Sequence, residues 1–309
     1  MRAWSFAEGR WQEGDLAGAD AHWFNIDRPD AAALASLKAR YRLHELAVED
    51  CLSPNPHAPK IDVFDDHVFV VVVAPGRPPA LTEEFDAFLG ERFVITYADR
   101  TLTEVEAVAA MASTPQRSLR PGPDGILYEV LDRMVDGFLP VVNAMGDELD
   151  VLEDAVLGAA ARETHSRAIL EIRARAGRLR RLLGPQLSVL QRLSRGEVAY
   201  VSDPNRIYFR DIYDHVVRID LALESVREDT EVALSTYLST LNNRMNEVMK
   251  VLSVVAALAL PATVIAGIFG TNFDNVPGLH SNWGFGVMLA GMATIAACMG
   301  AWFKHRGWW

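Results

Sequence analysis

VLSVVAALALPATVIAGIFG, residues 251 to 270, is a run of 20 residues without a charge. At about 1.5 Å of rise per residue, a helix of that length crosses a hydrocarbon core of roughly 30 Å. WGFGVMLAGMATIAACMGAWF, residues 283 to 303, repeats the signal over 21 residues. A pair of helices buried in a soluble core would carry a polar stripe. The reading is therefore a transmembrane domain at 251–309: a first span at 251–270, an outer loop at 271–282, a second span at 283–303 and a tail at 304–309. The loop, TNFDNVPGLHSN, has no Lys or Arg, whereas Arg244 and Lys250 precede the first span and Lys304 and Arg306 follow the second. Positive charge belongs on the cytoplasmic side, so both termini are expected in the cytosol of a cell whose inner (plasma) membrane holds the spans. Trp283, Trp302, Trp308 and Trp309 fall where interfacial aromatics are expected.

The rest of the chain bounds what the spans can serve. The first residues, MRAWSFAEGRWQEGD, offer no apolar core ahead of their charges, so no cleavable signal is expected. Among 309 residues, 30 Lys and Arg stand against 41 Asp and Glu, a net charge of -11. That balance argues against a chain that grips nucleic acid and suits one that handles cations. Cys51 and Cys298 stand alone, so neither a disulfide framework nor a structural zinc site is indicated.

Upstream of the spans the pattern changes twice. HVFVVVVAP (67–75) reads as a buried strand, and EEFDAFLGERFVITYA (83–98) as two strands turning at Gly90, which makes residues 1–118 a cytosolic α/β domain. STPQRSLRPGPDG (113–125) is the breaker that ends it. Residues 119–250 read as a helical stalk. Apolar residues recur at threes and fours from Ile126 to Leu157, a second run spans about 162 to 193, and a break at SDPN (202–205) precedes a third. The third, from about Tyr208, meets no Pro or Gly until Pro261, so the first span is the end of a helix that begins deep in the cytosol. Eight acids and one Arg lie between Glu129 and Asp154, against nine Arg and two Glu between Arg162 and Arg195. An antiparallel hairpin paired by charge is the expectation, ahead of nucleic-acid or anionic-lipid binding. The fold class is α+β: a cytosolic α/β domain, a long-helix stalk and two C-terminal transmembrane helices.

Gly270, Thr271 and Asn272 close the first span. Glycine can take the left-handed conformation that ends a helix. Repeated around a symmetric oligomer, Asn272 would form a ring of neutral amide oxygens able to accept hydrogen bonds from a hydrated cation. Mg²⁺ gives up its waters reluctantly, so such a ring suits it. Met249, Ser253, Ala256, Leu260, Thr263 and Gly267 recur at threes and fours, a small and weakly polar face along which helices could converge.

These residues carry a resemblance. YLSTLNNRMNEVMKVLSVVAALALPATVIAGIFGTNFDNVPG (237–278) is similar to the pore helix of the CorA-type divalent-cation channels, the two-transmembrane GxN proteins. HELAVEDCLSPNPHAPKIDVFDDHVFVVV (44–72), EEFDAFLGERFVITYAD (83–99), VDGFLPVVNAMGDELDVLEDAVL (135–157) and YFRDIYDH (208–215) resemble their cytosolic domain. The resemblance implies a funnel-shaped homopentamer with the long helix lining the pore. It puts Gly270, Thr271 and Asn272 at the selectivity filter and Asn246 at a second polar ring. It also puts Met249, Leu252 and Leu260 at the hydrophobic gate, and Thr263 at a polar position between gate and filter. Asp211 falls on an intersubunit regulatory metal site, with Asp50 as its partner and Glu49 beside it. Acids facing one another across a subunit boundary repel when empty and are bridged by a divalent cation, so high cytosolic metal would hold the assembly closed.

Two departures bear on the ion. The family's Gly-Met-Asn is Gly-Thr-Asn here, and its Pro-Glu-Leu is Pro-Gly-Leu at 277–279, leaving Asp274 as the loop's acid and adding His280. The Pro-Gly ending is similar to the zinc-transporting ZntB-like branch, and His280 is an available zinc ligand. Mg²⁺, with Co²⁺ and Ni²⁺, is the first expectation as substrate and regulator, and Zn²⁺ the second. No resident cofactor is expected; the partners are further copies of the chain, the bilayer and divalent cations, not nucleic acid. An enzyme finds no support: there is no Walker-A loop, GxGxxG, HExxH or GxSxG. A membrane-tethered sensor that binds metal without conducting is the remaining alternative.

Overall fold

A computed structural model describes residues 1–7, 9–14, 20–114, 119–158, 162–271, 276–278 and 281–308. Seven strands form one sheet: β1 (Arg2–Ala7), β2 (Arg10–Glu13), β3 (Ala21–Asp27), β4 (Lys60–Val63), β5 (Val68–Pro75), β6 (Thr82–Gly90) and β7 (Phe93–Ala98). Their order is β2-β1-β3-β7-β6-β5-β4, with β3 and β7 parallel and every other pair antiparallel. The expected strands are present, and Gly90 pairs with Phe93 at the β6–β7 turn.

The run of valines in β5 is buried throughout because both faces of the sheet are covered. Side chains alternate between faces. Phe69, Val71, Phe88, Ile95 and Tyr97 pack with Leu34 and Leu37 of α1 (Ala31–Tyr41) and with Ala47, Val48 and Cys51 of α2 (Glu45–Leu52). The intervening side chains, among them Val70, Val72, Ala87 and Val94, are equally buried. The helices α3 (Thr103–Ala112), α4 (Pro123–Asp136) and α6 (Glu163–Ser194) also touch strands of the sheet. Gln186 of α6 reaches the sheet itself, its Oε1 accepting from Val73 N at 2.9 Å.

The expected helical run from Ile126 to Leu157 is two helices, α4 and α5 (Phe138–Leu157), divided at Gly137. Pro140 accounts for the division, having no N–H to give to the Asp136 carbonyl four residues back. A Cβ on Gly137 would lie 2.9 Å from the Pro75 ring of β5, so that close approach requires glycine. The arginines of α6 pair in two directions. Arg175 meets Glu148 of α5 at 2.7 Å, as the hairpin reading expects. Arg173 meets Glu231 at 2.7 Å, and Arg180 meets Asp220 at 2.8 Å and Glu224, all on α7 (Asp203–Phe269).

α7 is 67 residues long and begins within the SDPN segment. Pro204 sits in its first turn, where the missing N–H costs nothing. Ser202, just before it, donates from N (2.8 Å) and Oγ (2.6 Å) to Oδ2 of the buried Asp124 near the start of α4. From that anchor the contacts advance together: Tyr128 meets Tyr208 and Phe209, with ring centroids 5.4 and 6.1 Å apart. α4 and α7 therefore run side by side in the same direction.

The chain forms two compact units, Met1–Ala155 with Arg162–Leu234, and Val156–Ala161 with Ser235–Trp309. The second holds the later part of α7 and α8 (Gly284–His305), which are long and apolar enough to cross a membrane, with mean hydropathies of 2.4 and 1.7. In this unit Lys250 Nζ donates to Gly307 O at 3.1 Å, and the Trp308 ring stacks on Phe303.

Candidate functional site

Two groups of expected residues occupy α7. Asn246, Met249, Leu252, Leu260 and Thr263 are all exposed in the single chain; Met249, Leu252 and Leu260 keep 57%, 58% and 65% of their surface. The six-residue face from Met249 to Gly267 is likewise exposed at every position. Apolar side chains left open along a helix are stable only against lipid or other protein. Thr263 Oγ1 donates back to Ala259 O at 2.9 Å, so its polar atom is satisfied within the helix. At the end of α7, Gly270 N donates to Ala266 O, and Thr271 Oγ1 turns back to Ile268 O at 2.7 Å. Asn272, Asp274 and His280 lie outside the described residues.

The parallel register of α4 and α7 builds a second site, near Asp211. On α7, Asp211 and His215 are four apart and share a face; on α4, Asp132 and Asp136 do the same. Packed side by side, the helices bring one ligand atom each of Asp132, Asp211 and His215 within 4.8 Å of one another. His215 Nε2 is 3.6 Å from Asp211 Oδ2, and its Nδ1 is 3.0 Å from Asp136 Oδ1. Burial, reinforced by the Asp136 charge, raises Asp132 above the usual carboxylate range, and His215 only partly offsets it. A divalent cation would relieve that repulsion, and two carboxylates with an imidazole are a donor set that takes Co²⁺, Ni²⁺ or Zn²⁺ as well as Mg²⁺. Asp132, Asp136 and His215 were not singled out from the sequence. The signal was present as two i, i+4 pairs, D-x₃-D at 132/136 and D-x₃-H at 211/215.

Asp50 and Glu49 lie on α2. Glu49 is exposed. Asp50 is half-buried, its Oδ2 2.7 Å from Lys60 Nζ and its Oδ1 3.5 Å from His57 Nε2. Within one chain Asp50 thus faces Lys60 and His57 of its own domain, while Asp211 is grouped with Asp132 and His215. Burial opposes the Lys60 ammonium, yet Asp50 and Asp62 outweigh it and raise its pKa.

With these features in place, the likeness to known proteins is informative. The chain is 32% identical over 273 residues to the cobalt/magnesium transport protein CorA of Thermotoga maritima, covering 87% of this chain and 77% of that one. It is 24% identical over 294 residues to the zinc transport protein ZntB of Yersinia enterocolitica, covering 93% and 87%. Its fold matches the complete structure of the CorA magnesium transporter from Methanocaldococcus jannaschii with a TM-score of 0.87, over 100% of this chain and 98% of that chain, at 20% identity. The model of the CorA-like Mg²⁺ transporter protein family matches residues 18–305, and the chain belongs to that family of divalent-cation transporters, which are membrane proteins and not enzymes.

Proposed function

We propose that this chain is a channel-type transporter carrying Mg²⁺, and also Co²⁺ and Ni²⁺, across the inner membrane as a homopentamer with both termini in the cytosol. The observation that carries the reading is the 32% identity to a cobalt/magnesium transport protein across most of both chains. The hydrated ion is recognised at a ring of Asn272 framed by Gly270 and Thr271, with Asp274 and His280 in the outer loop. It passes Thr263, the constriction of Leu260, Leu252 and Met249, and a ring of Asn246. The exposed apolar face of α7 supports this role, because a helix that lines a pore must leave such a face open in the single chain. Inward movement gains about 2.3 kcal/mol per charge for each 100 mV of membrane potential.

Gating rests on cytosolic divalent cation held between Asp211 of one copy and Asp50, with Glu49, of its neighbour. Asp132 and His215 extend the donor set on the Asp211 side. The loss of cation leaves clustered carboxylates in mutual repulsion and loosens the closed state.

Zn²⁺ is the second reading, favoured by the Gly-Thr-Asn filter, the Pro-Gly ending of the loop and His280. Uptake of Mg²⁺ and of Zn²⁺ into liposomes holding the pure protein, wild type beside Asn272→Ala, tests both readings. Mg²⁺ uptake that the substitution abolishes is the expected result. Uptake of Zn²⁺ alone selects the second reading, and an oligomer that takes up neither ion is a sensor.

A further inference from the structure

The arginine run of α6 is only partly used up by its acids. Leu170, Arg173, Ala174, Gly177, Arg178 and Arg181 recur at threes and fours, so they share one face of the helix. With Arg180 and with Arg227 of α7 they line a groove of about 720 Å³, inside the range of roughly 300–1,000 Å³ that small-molecule sites occupy. Ala174 and Gly177 are too short to fill it. A Cβ on Gly177 would stand 3.6 Å from Arg181 Nη1, which places that guanidinium beside the bare glycine. The lining thus holds five guanidinium groups and, among the described residues, no carboxylate. Three of the five are held by acids of α7 that do not themselves line the groove: Arg173 by Glu231 at 2.7 Å, Arg180 by Asp220 at 2.8 Å and Arg227 by Glu224 at 2.9 Å. Arg178 and Arg181 are exposed and pair with no acid among the described residues.

We propose that this groove binds a polyphosphate chain, that of a nucleoside triphosphate or of inorganic polyphosphate. Phosphate oxygens match the planar guanidinium fork, which gives them two parallel N–H donors. Each arginine has five such donors. Arg173 and Arg227 each commit one Nη to their acids and keep the other for a ligand. Arg180, bonded through Nε and both Nη atoms, is fixed as part of the wall. Arg178 and Arg181, three residues apart on the same face, bring whole forks to neighbouring phosphates. Empty, these like charges repel one another, and a phosphate chain laid between them removes the repulsion. From Leu170 to Arg181 the stripe runs about 16 Å along the helix. Leu170 keeps 47% of its surface and offers the base of a nucleotide an apolar contact at one end. The site lies within residues 162–234 and does not depend on the transport reading.

Isothermal titration calorimetry of the full-length protein in detergent tests the site with ATP and with inorganic tripolyphosphate. Chelator is present throughout, so that no metal bridges the anion to the Asp132 cluster. One equivalent per chain, bound more weakly as salt rises, is the expected result. Tighter binding of ATP assigns a nucleotide, and equal binding assigns inorganic polyphosphate. Arg178→Gln and Arg181→Gln each weaken the anion about tenfold, and the double substitution about 100-fold. Helical circular dichroism stays unchanged, because neither side chain has an acid to lose. Arg167→Gln, which removes an exposed pair with Glu163 on the same helix outside the groove, leaves the affinity as it was. Absence of binding by either anion, or binding that the double substitution leaves intact, overturns the proposal. So does an oligomer that binds neither anion and comes apart when both arginines are replaced, since the groove then receives the acidic face of α5 from a second copy.

Discussion

Asp132 shows how a single carboxyl acquires meaning from its neighbours. Burial and Asp136 raise its pKa in the folded chain. The folded state therefore holds its proton more tightly than the unfolded state. The stabilisation this provides is complete below the unfolded carboxylate pKa of about 3.9 and is lost as pH rises through the raised folded value. At neutral pH without divalent cation, the ionised side chain opposes folding. Asp132→Asn is thus expected to raise the thermal midpoint at pH 7 in chelator, and to lose that advantage below about pH 4. With saturating Mg²⁺ the order reverses, because the wild type gains a bridging ion and the variant does not. His215→Ala should diminish the midpoint shift given by Co²⁺ more than that given by Mg²⁺, since imidazole is the ligand Co²⁺ favours. Scanning calorimetry or differential fluorimetry on the detergent-solubilised protein reads both; equal shifts for the two ions would remove His215 from the site.

Among the elements, α7 and α4 act as a pair because their starts are tied. Asp124 Oδ2 accepts both the N–H and the hydroxyl of Ser202, and Oδ1 accepts Gly125 N at 3.1 Å, all with the side chain buried. Asp124→Ala leaves those donors without a partner and is expected to destabilise by about 1–3 kcal/mol. Asp203→Ala, which removes only the exposed pair of Asp203 with Arg206 at 2.6 Å, should change stability by about 0–1 kcal/mol. Reversible denaturant titration of the two variants separates the values; similar losses would mean that Asp124 does not set the α4–α7 register. The elements themselves were largely legible. β5, β6 and β7 announce themselves by β-branched and aromatic runs, and α7 by the lack of Pro and Gly over more than fifty residues. The division at Gly137 was not, because apolar spacing continues unbroken across it while the missing Pro140 donor is what interrupts the helix.

On the scale of the whole molecule, the exposed face of α7 demands company. Leu260 keeps 65% of its surface in one chain and Met249 57%. If copies converge along this face, Leu260→Cys in a Cys298→Ser background should give covalent dimers on mild oxidation in the membrane, read as a doubled mass on non-reducing gels. A chain that stays monomeric under oxidation would point this face to lipid. Hydropathy, charge asymmetry and residue periodicity are local properties, so the sequence by itself determined the two helices long and apolar enough to cross a membrane, the strands flanking Gly90 and the long helix that ends at Phe269. Only the tertiary structure decided that Asp132 and Asp136 meet Asp211 and His215. Those meetings depend on the register in which α4 packs along α7, and that register is set by Ser202 on Asp124 and Tyr128 on Tyr208, contacts between residues far apart in the chain.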